Sequence, residues 1–72
     1  MNGPKMRVLN QIRSLRFQRA EMTQQELADR IGVSRQTVNA IEGGKYSPSL
    51  EVAFLIARVF EQPLEAVFEY AE

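Results

Sequence analysis

The chain contains no cysteine and no histidine. Without cysteine it can form no disulfide, thiolate nucleophile or cysteine metal site, and its redox compartment is left open. Without histidine the usual general base, the common zinc ligand and the Ser-His triad are also excluded, leaving carboxylates as the catalytic inventory. Those carboxylates are scattered over helical faces with no close pair in a pocket, so no enzymatic activity, metal or cofactor is expected. Long hydrophobic runs are missing as well. The longest apolar pattern, Val52 to Phe60, is interrupted by Arg58 and falls far short of the roughly 20 residues a membrane span needs, and no signal-like stretch opens the chain. The expectation is a soluble, cytoplasmic protein without a membrane partner. Residues 1–5 include Gly3 and Pro4 and have no periodicity; they read as a flexible leader, with Met6 a candidate start.

An excess of positive charge is lacking too: nine basic side chains balance nine acidic ones. That neutrality argues against a nucleic-acid partner until the charges are placed along the chain. Residues 1–48 carry eight basic side chains against four acidic ones, a balance of +4; residues 49–72 carry Arg58 against five glutamates, a balance of −4. The chain is polarised. Its first two thirds can face a polyanion while the acidic remainder points away, a distribution that predicts weak non-specific binding and strong salt sensitivity.

What is present in the positive part is a run of local signals with mechanical meaning. Thr23 and Glu26 form a Thr-x-x-Glu capping box that starts a helix. Leu27 and Ile31 lie four apart on one face, and Ala28 beside them is small enough to let a second helix cross closely. Gly32 follows the last turn, where a left-handed residue commonly ends a helix. Val33 packs under the turn, Ser34 is a preferred N-cap, and Val38 and Ile41 give a second helix its buried edge. Two motif helices, about 24–31 and 34–43, thus meet at one glycine, the grammar of a DNA-binding helix-turn-helix. Arg35, Gln36 and Asn39 share one arc of the second helix, roughly opposite Val38 and Ile41. Arg can fork onto guanine O6 and N7, and Gln and Asn can pair with adenine N6 and N7. The three are therefore candidate base readers near the end of the helix that enters a major groove. The plainer alternative is a solvated polar face.

Thr23 to Leu50, from Thr-Gln-Gln-Glu-Leu-Ala through Ser-Arg-Gln-Thr-Val-Asn-Ala-Ile-Glu to Gly-Lys-Tyr-Ser-Pro-Ser-Leu, resembles the Cro and phage-repressor type of helix-turn-helix transcriptional regulators. Leu50 to Tyr70 resembles the tail of short stand-alone members, so the resemblance covers the chain from about Arg7 onward. It implies an all-α, five-helix, lambda-repressor-like domain that binds a palindromic double-stranded DNA operator as a homodimer and acts as a repressor. It also implies that Gln24 contacts a phosphate, that Arg35 and Gln36, with Asn39 one turn on, read bases, and that the loop at Gly44, Lys45 and Tyr46 holds the backbone. Thr37 joins this phosphate-binding set. Phage repressors often carry further basic residues after this loop; Ser47, Pro48, Ser49 and Leu50 supply none, which weakens the case for a minor-groove contact. The family frequently pairs the positions of Arg16 and Glu42, a link that would fix the angle of the recognition helix.

Around the motif, Val8, Leu9, Ile12 and Leu15 predict a first helix from about Arg7 to Gln18. A fourth helix starts near Ser49 with Leu50, Ala53, Ile56, Ala57 and Phe60 inward, and a short last helix follows Pro63 with Leu64, Val67 and Phe68. At 72 residues there is one domain, burying about 60% of its unfolded surface, so dimerisation would add stability. Val52, Leu55 and Val59 form a second apolar stripe, and Phe68 to Tyr70 alternates like a strand. Either is a candidate dimer interface, by helix packing or by terminal strand pairing with the Met6 to Val8 segment, with Tyr70 in the latter; the plainer alternative is a wide core in a small domain. Two other functions remain open, an antitoxin that binds both operator and toxin, and a protein-binding adaptor on the same fold.

Overall fold

The structure is a computed structural model that describes residues 8–45 and 47–71. Its elements run β1 (Val8–Asn10), α1 (Ile12–Gln18), α2 (Gln24–Ile31), α3 (Arg35–Glu42), α4 (Leu50–Phe60), α5 (Leu64–Val67) and β2 (Phe68–Tyr70). Five helices enclose one core, and the two strands pair antiparallel beside it, with Val8 opposite Tyr70 and Asn10 opposite Phe68. The expected leader, residues 1–5, and the Met6 start lie outside the described residues.

The middle of the chain folds on its local signals. At the start of α2 the Thr23 hydroxyl accepts from the Glu26 N–H at 3.0 Å while the Glu26 carboxylate accepts from the Thr23 N–H at 2.9 Å. These bonds satisfy two of the amides that a helix start leaves without partners. At its other end Gly32 adopts φ 76°, ψ 31°, and the N–H groups of Gly32 and Val33 both reach the Ala28 carbonyl. Ser34 and Ser49 cap α3 and α4, each hydroxyl accepting the N–H three residues on at 3.1 Å.

The core joins Ile12 of α1, Leu27, Ala28 and Ile31 of α2, Val38 and Ile41 of α3, Ile56, Ala57 and Phe60 of α4, and Val67 of α5. Ala28 is wholly buried where α2 meets α3, as its small size requires.

The first helix departs from expectation. It begins at Ile12, not near Arg7, because Val8 and Leu9 extend into β1. The Asn10 side-chain oxygen accepts from the Ile12 N–H at 3.1 Å and starts the helix there, while the Asn10 amide donates to the Ile41 carbonyl at 3.0 Å. Strands were anticipated as an interface between copies; here they pair within one chain. On α4 the expected inward line holds except at Leu50, which is 68% exposed. As the first residue after the Ser49 cap it sits on the flank of the helix, clear of the core. Pro63 stands one residue ahead of α5 as its cap, and Phe68 begins β2.

Candidate nucleic-acid interface

The candidate recognition element is α3, eight residues with one face in the core and the other exposed. Val38 and Ile41 are buried; Arg35, Gln36 and Asn39 are exposed on the opposite side. The arc expected from 100° per residue is therefore realised, with Arg35 and Gln36 in the first turn after Ser34. That turn also presents amide N–H groups without helical partners, a positive end suited to an anion.

Gln24 opens α2 beside this arc, and its side-chain amide donates to the Asn39 side-chain oxygen at 3.2 Å. The residue expected on a phosphate and the third residue expected on a base are thus hydrogen-bonded to each other. Gln24 and Arg35 also share the lining of an open cleft of about 350 Å³ with Arg16, Phe17, Thr23 and Gln25. Thr37 is half-buried, its hydroxyl 2.9 Å from that of Ser34. It buttresses the start of α3 in the free protein. After α3 the chain turns through Gly44 at φ 75°, and the Lys45 N–H bonds the Ala40 carbonyl at 2.9 Å, leaving its side chain exposed at the helix end. Tyr46 lies outside the described residues.

What fixes α3 against the rest is a buried ion pair. Arg16 Nε and Nη2 donate to the two Glu42 carboxylate oxygens at 2.9 and 2.8 Å, and Arg16 Nη1 donates to the Met22 carbonyl at 2.7 Å. The side chains retain only 9% and 11% exposure. A bidentate pair with an extra carbonyl acceptor satisfies the guanidinium in a way that a single contact would not. Asn10 adds a second tie through the Ile41 and Glu42 carbonyls at the last turn of α3.

Three positioning residues escaped sequence reasoning. Asn10 is one. Arg19 is another: its Nη2 donates to the Val59 carbonyl at 2.8 Å and to Glu61 at 3.1 Å, closing the end of α4. Phe17 is the third, an exposed ring with the guanidinium carbons of Arg13 and Arg16 each 5.6 Å from its centroid. A Leu or Ile at position 17 would have read as core; an aromatic one helical turn after Arg13 and next to Arg16 is the signal that could have marked it. The candidate interface residues Val52, Leu55, Val59 and Phe68 are half-buried and packed against the core, whereas Tyr70 is exposed. Among the described residues no helix is long and apolar enough to cross a membrane, and no group of acidic side chains is arranged to hold a metal ion.

Residues 12–67 match a family model described as helix-turn-helix. The chain belongs to the Cro and phage-repressor type of helix-turn-helix transcriptional regulators. An uncharacterised HTH-type transcriptional regulator of Methanocaldococcus jannaschii is 50% identical over 60 residues, spanning 81% of this chain and 91% of that one. One from Archaeoglobus fulgidus is 53% identical over 51 residues, 71% of this chain and 72% of the relative. One from Bacillus subtilis is 44% identical over 59 residues, 82% and 88%. The crystal structure of a candidate DNA-binding protein from Bacteroides fragilis superposes with a TM-score of 0.76 at 22% identity, covering 86% of this helix-turn-helix chain and 98% of that one, and so shares its fold.

Proposed function

We propose that this helix-turn-helix regulator binds a palindromic operator sequence-specifically as a homodimer, placing one α3 in each of two successive major grooves roughly 34 Å apart. Arg35, Gln36 and Asn39 read base edges; Gln24, Thr37, Lys45 and Tyr46 hold phosphates and set the register. Repression follows from occupying a promoter in the cytoplasm, since a folded unit of this size needs no further part to block access. The observation that carries this reading is the presentation of Arg35 and Gln36, exposed in the first turn of a helix whose other face and last turn are fixed by the core, Asn10 and the Arg16–Glu42 pair. Selection of bound duplexes from a random DNA pool tests it. A two-fold symmetric consensus with half-sites one helical turn apart is the expected result; a pool that stays random would sink sequence-specific recognition.

A further inference from the structure

The outward face of α4 is unusual for a solvated helix. Phe54 stands at its middle with half of its surface exposed, and Leu50, one turn earlier, is more exposed still. Leu50 also carries the apolar strip onto a shallow groove lined by Val8, Pro48, Ala53, Leu64 and Phe68. Glu51 and Arg58 flank Phe54, both exposed. Seven residues apart, they lie within about 20° of each other around the helix and about 10.5 Å apart along it, too far to pair in one chain. Among the described residues neither side chain has a hydrogen-bond or ion-pair partner.

Read from its first turn to its last, the face runs negative, apolar, positive, and that order is complementary to its own reverse. A second copy related by a two-fold axis between residues 54 and 55 brings α4 antiparallel to α4, sets the two Phe54 rings together, and places Glu51 of each copy level with Arg58 of the other. An isologous contact requires this kind of self-complementarity. We infer that the outward face of α4, centred on Phe54 and closed by two Glu51–Arg58 pairs between copies, is the homodimer interface. Leu55, half-covered by the core and next to Glu51 around the helix, contributes as its flank, whereas Val52 and Val59 lie roughly 140–160° around α4 from Phe54 and stay outside it. The inference names the surface behind the two-fold operator reading and rests on that reading for its meaning in the cell, but its test needs no DNA.

Sedimentation equilibrium of the free protein and of E51R, R58E and the double variant E51R/R58E decides it. The expected result is a wild-type dimer, single reversals that weaken association at least about tenfold, and a double reversal that restores it. Glu51 lies in the first turn of α4 and Arg58 in the last, so the double reversal is the worst arrangement for the helix dipole. Restored association therefore cannot arise from a restored fold. Phe54→Glu should leave a monomer with unchanged helical content. A wild-type monomer at about 100 μM, single reversals that leave the dimer intact, or a double reversal that fails to rescue it would each overturn the inference. Failure of the DNA selection would defeat the operator reading while leaving these masses unaffected.

Discussion

In the proposed complex Arg35 and Lys45, at the start of α3 and just beyond its end, do two kinds of work. A guanidinium aimed at a base edge discriminates; an ammonium beside a phosphate only attracts. Arg35→Ala should weaken the preferred operator by about 1–3 kcal/mol and relax one base pair of the consensus, while Lys45→Ala should weaken all duplexes alike and reduce the salt slope by about one per half-site. Equal, sequence-independent losses in a titration against matched and mismatched duplexes would overturn these roles. Glu42 works at the same scale through stability. Glu42→Gln leaves the buried Arg16 charge without its counter-ion and should cost about 3 kcal/mol, lowering the melting temperature by on the order of 10 °C or more. An unchanged melting curve would show the pair to be energetically idle. Base-reading candidates were legible from residue type and helical position, and the Arg16–Glu42 link from family resemblance. Asn10 and Arg19 were not, because each bonds carbonyls more than thirty residues away, at 41 and 59, and a polar side chain gives no local sign of such a destination.

At the scale of elements, α2 and α3 were readable to within a residue because their start and stop signals are local: Thr23 with Glu26, Gly32, Ser34. β1 was not. Val8 and Leu9 fit a helical spacing with Ile12 equally well, and what makes them a strand is a partner some sixty positions on, Phe68 to Tyr70. Gly32 offers a clean test of the turn. A Cβ there would meet nothing within 4 Å, so the cost of Gly32→Ala is the left-handed backbone alone, about 1–2 kcal/mol in a denaturant melt. The capping box gives α2 a pH dependence. The bonds from Thr23, its backbone N–H first, hold the Glu26 carboxyl below its ordinary value of 4.5. A carboxylate lowered on folding contributes stability fully above that ordinary value, and the contribution is lost as pH falls through the lower folded value. Glu26→Gln should therefore lower stability at neutral pH, flatten the acid limb of the profile below about pH 4.5 and converge with wild type at the acid end; an acid limb identical to wild type would remove Glu26 from that role.

The whole molecule is neutral yet asymmetric, and that governs how it meets DNA. With only a few cationic contacts, the complex should persist on its operator at salt concentrations where binding to random duplex has vanished, a difference that fluorescence anisotropy over a salt series resolves. Comparable affinity for both at about 150 mM salt would contradict the picture of Arg35, Gln36 and Asn39 as readers. The breadth of hydrophobicity on α4 pointed in the sequence to a face for the proposed association between copies, but not to the residues that the fold leaves exposed on it. Periodicity marked Val52, Leu55 and Val59; the fold half-covers those and leaves Leu50 and Phe54 in the open.

Asn10 sits where the two ends of the chain are sewn together, and its side chain is the stitch that continues into α3. The first and last strands are thus a clasp on the reading head, and whatever pulls at the clasp is felt there. A fused tag, a clipped tail or a partner that peels Phe68 to Tyr70 away would strain one of the two ties on the last turn of α3, the Asn10 bonds, and leave its angle to the Arg16–Glu42 pair alone, without touching Arg35, Gln36 or Asn39.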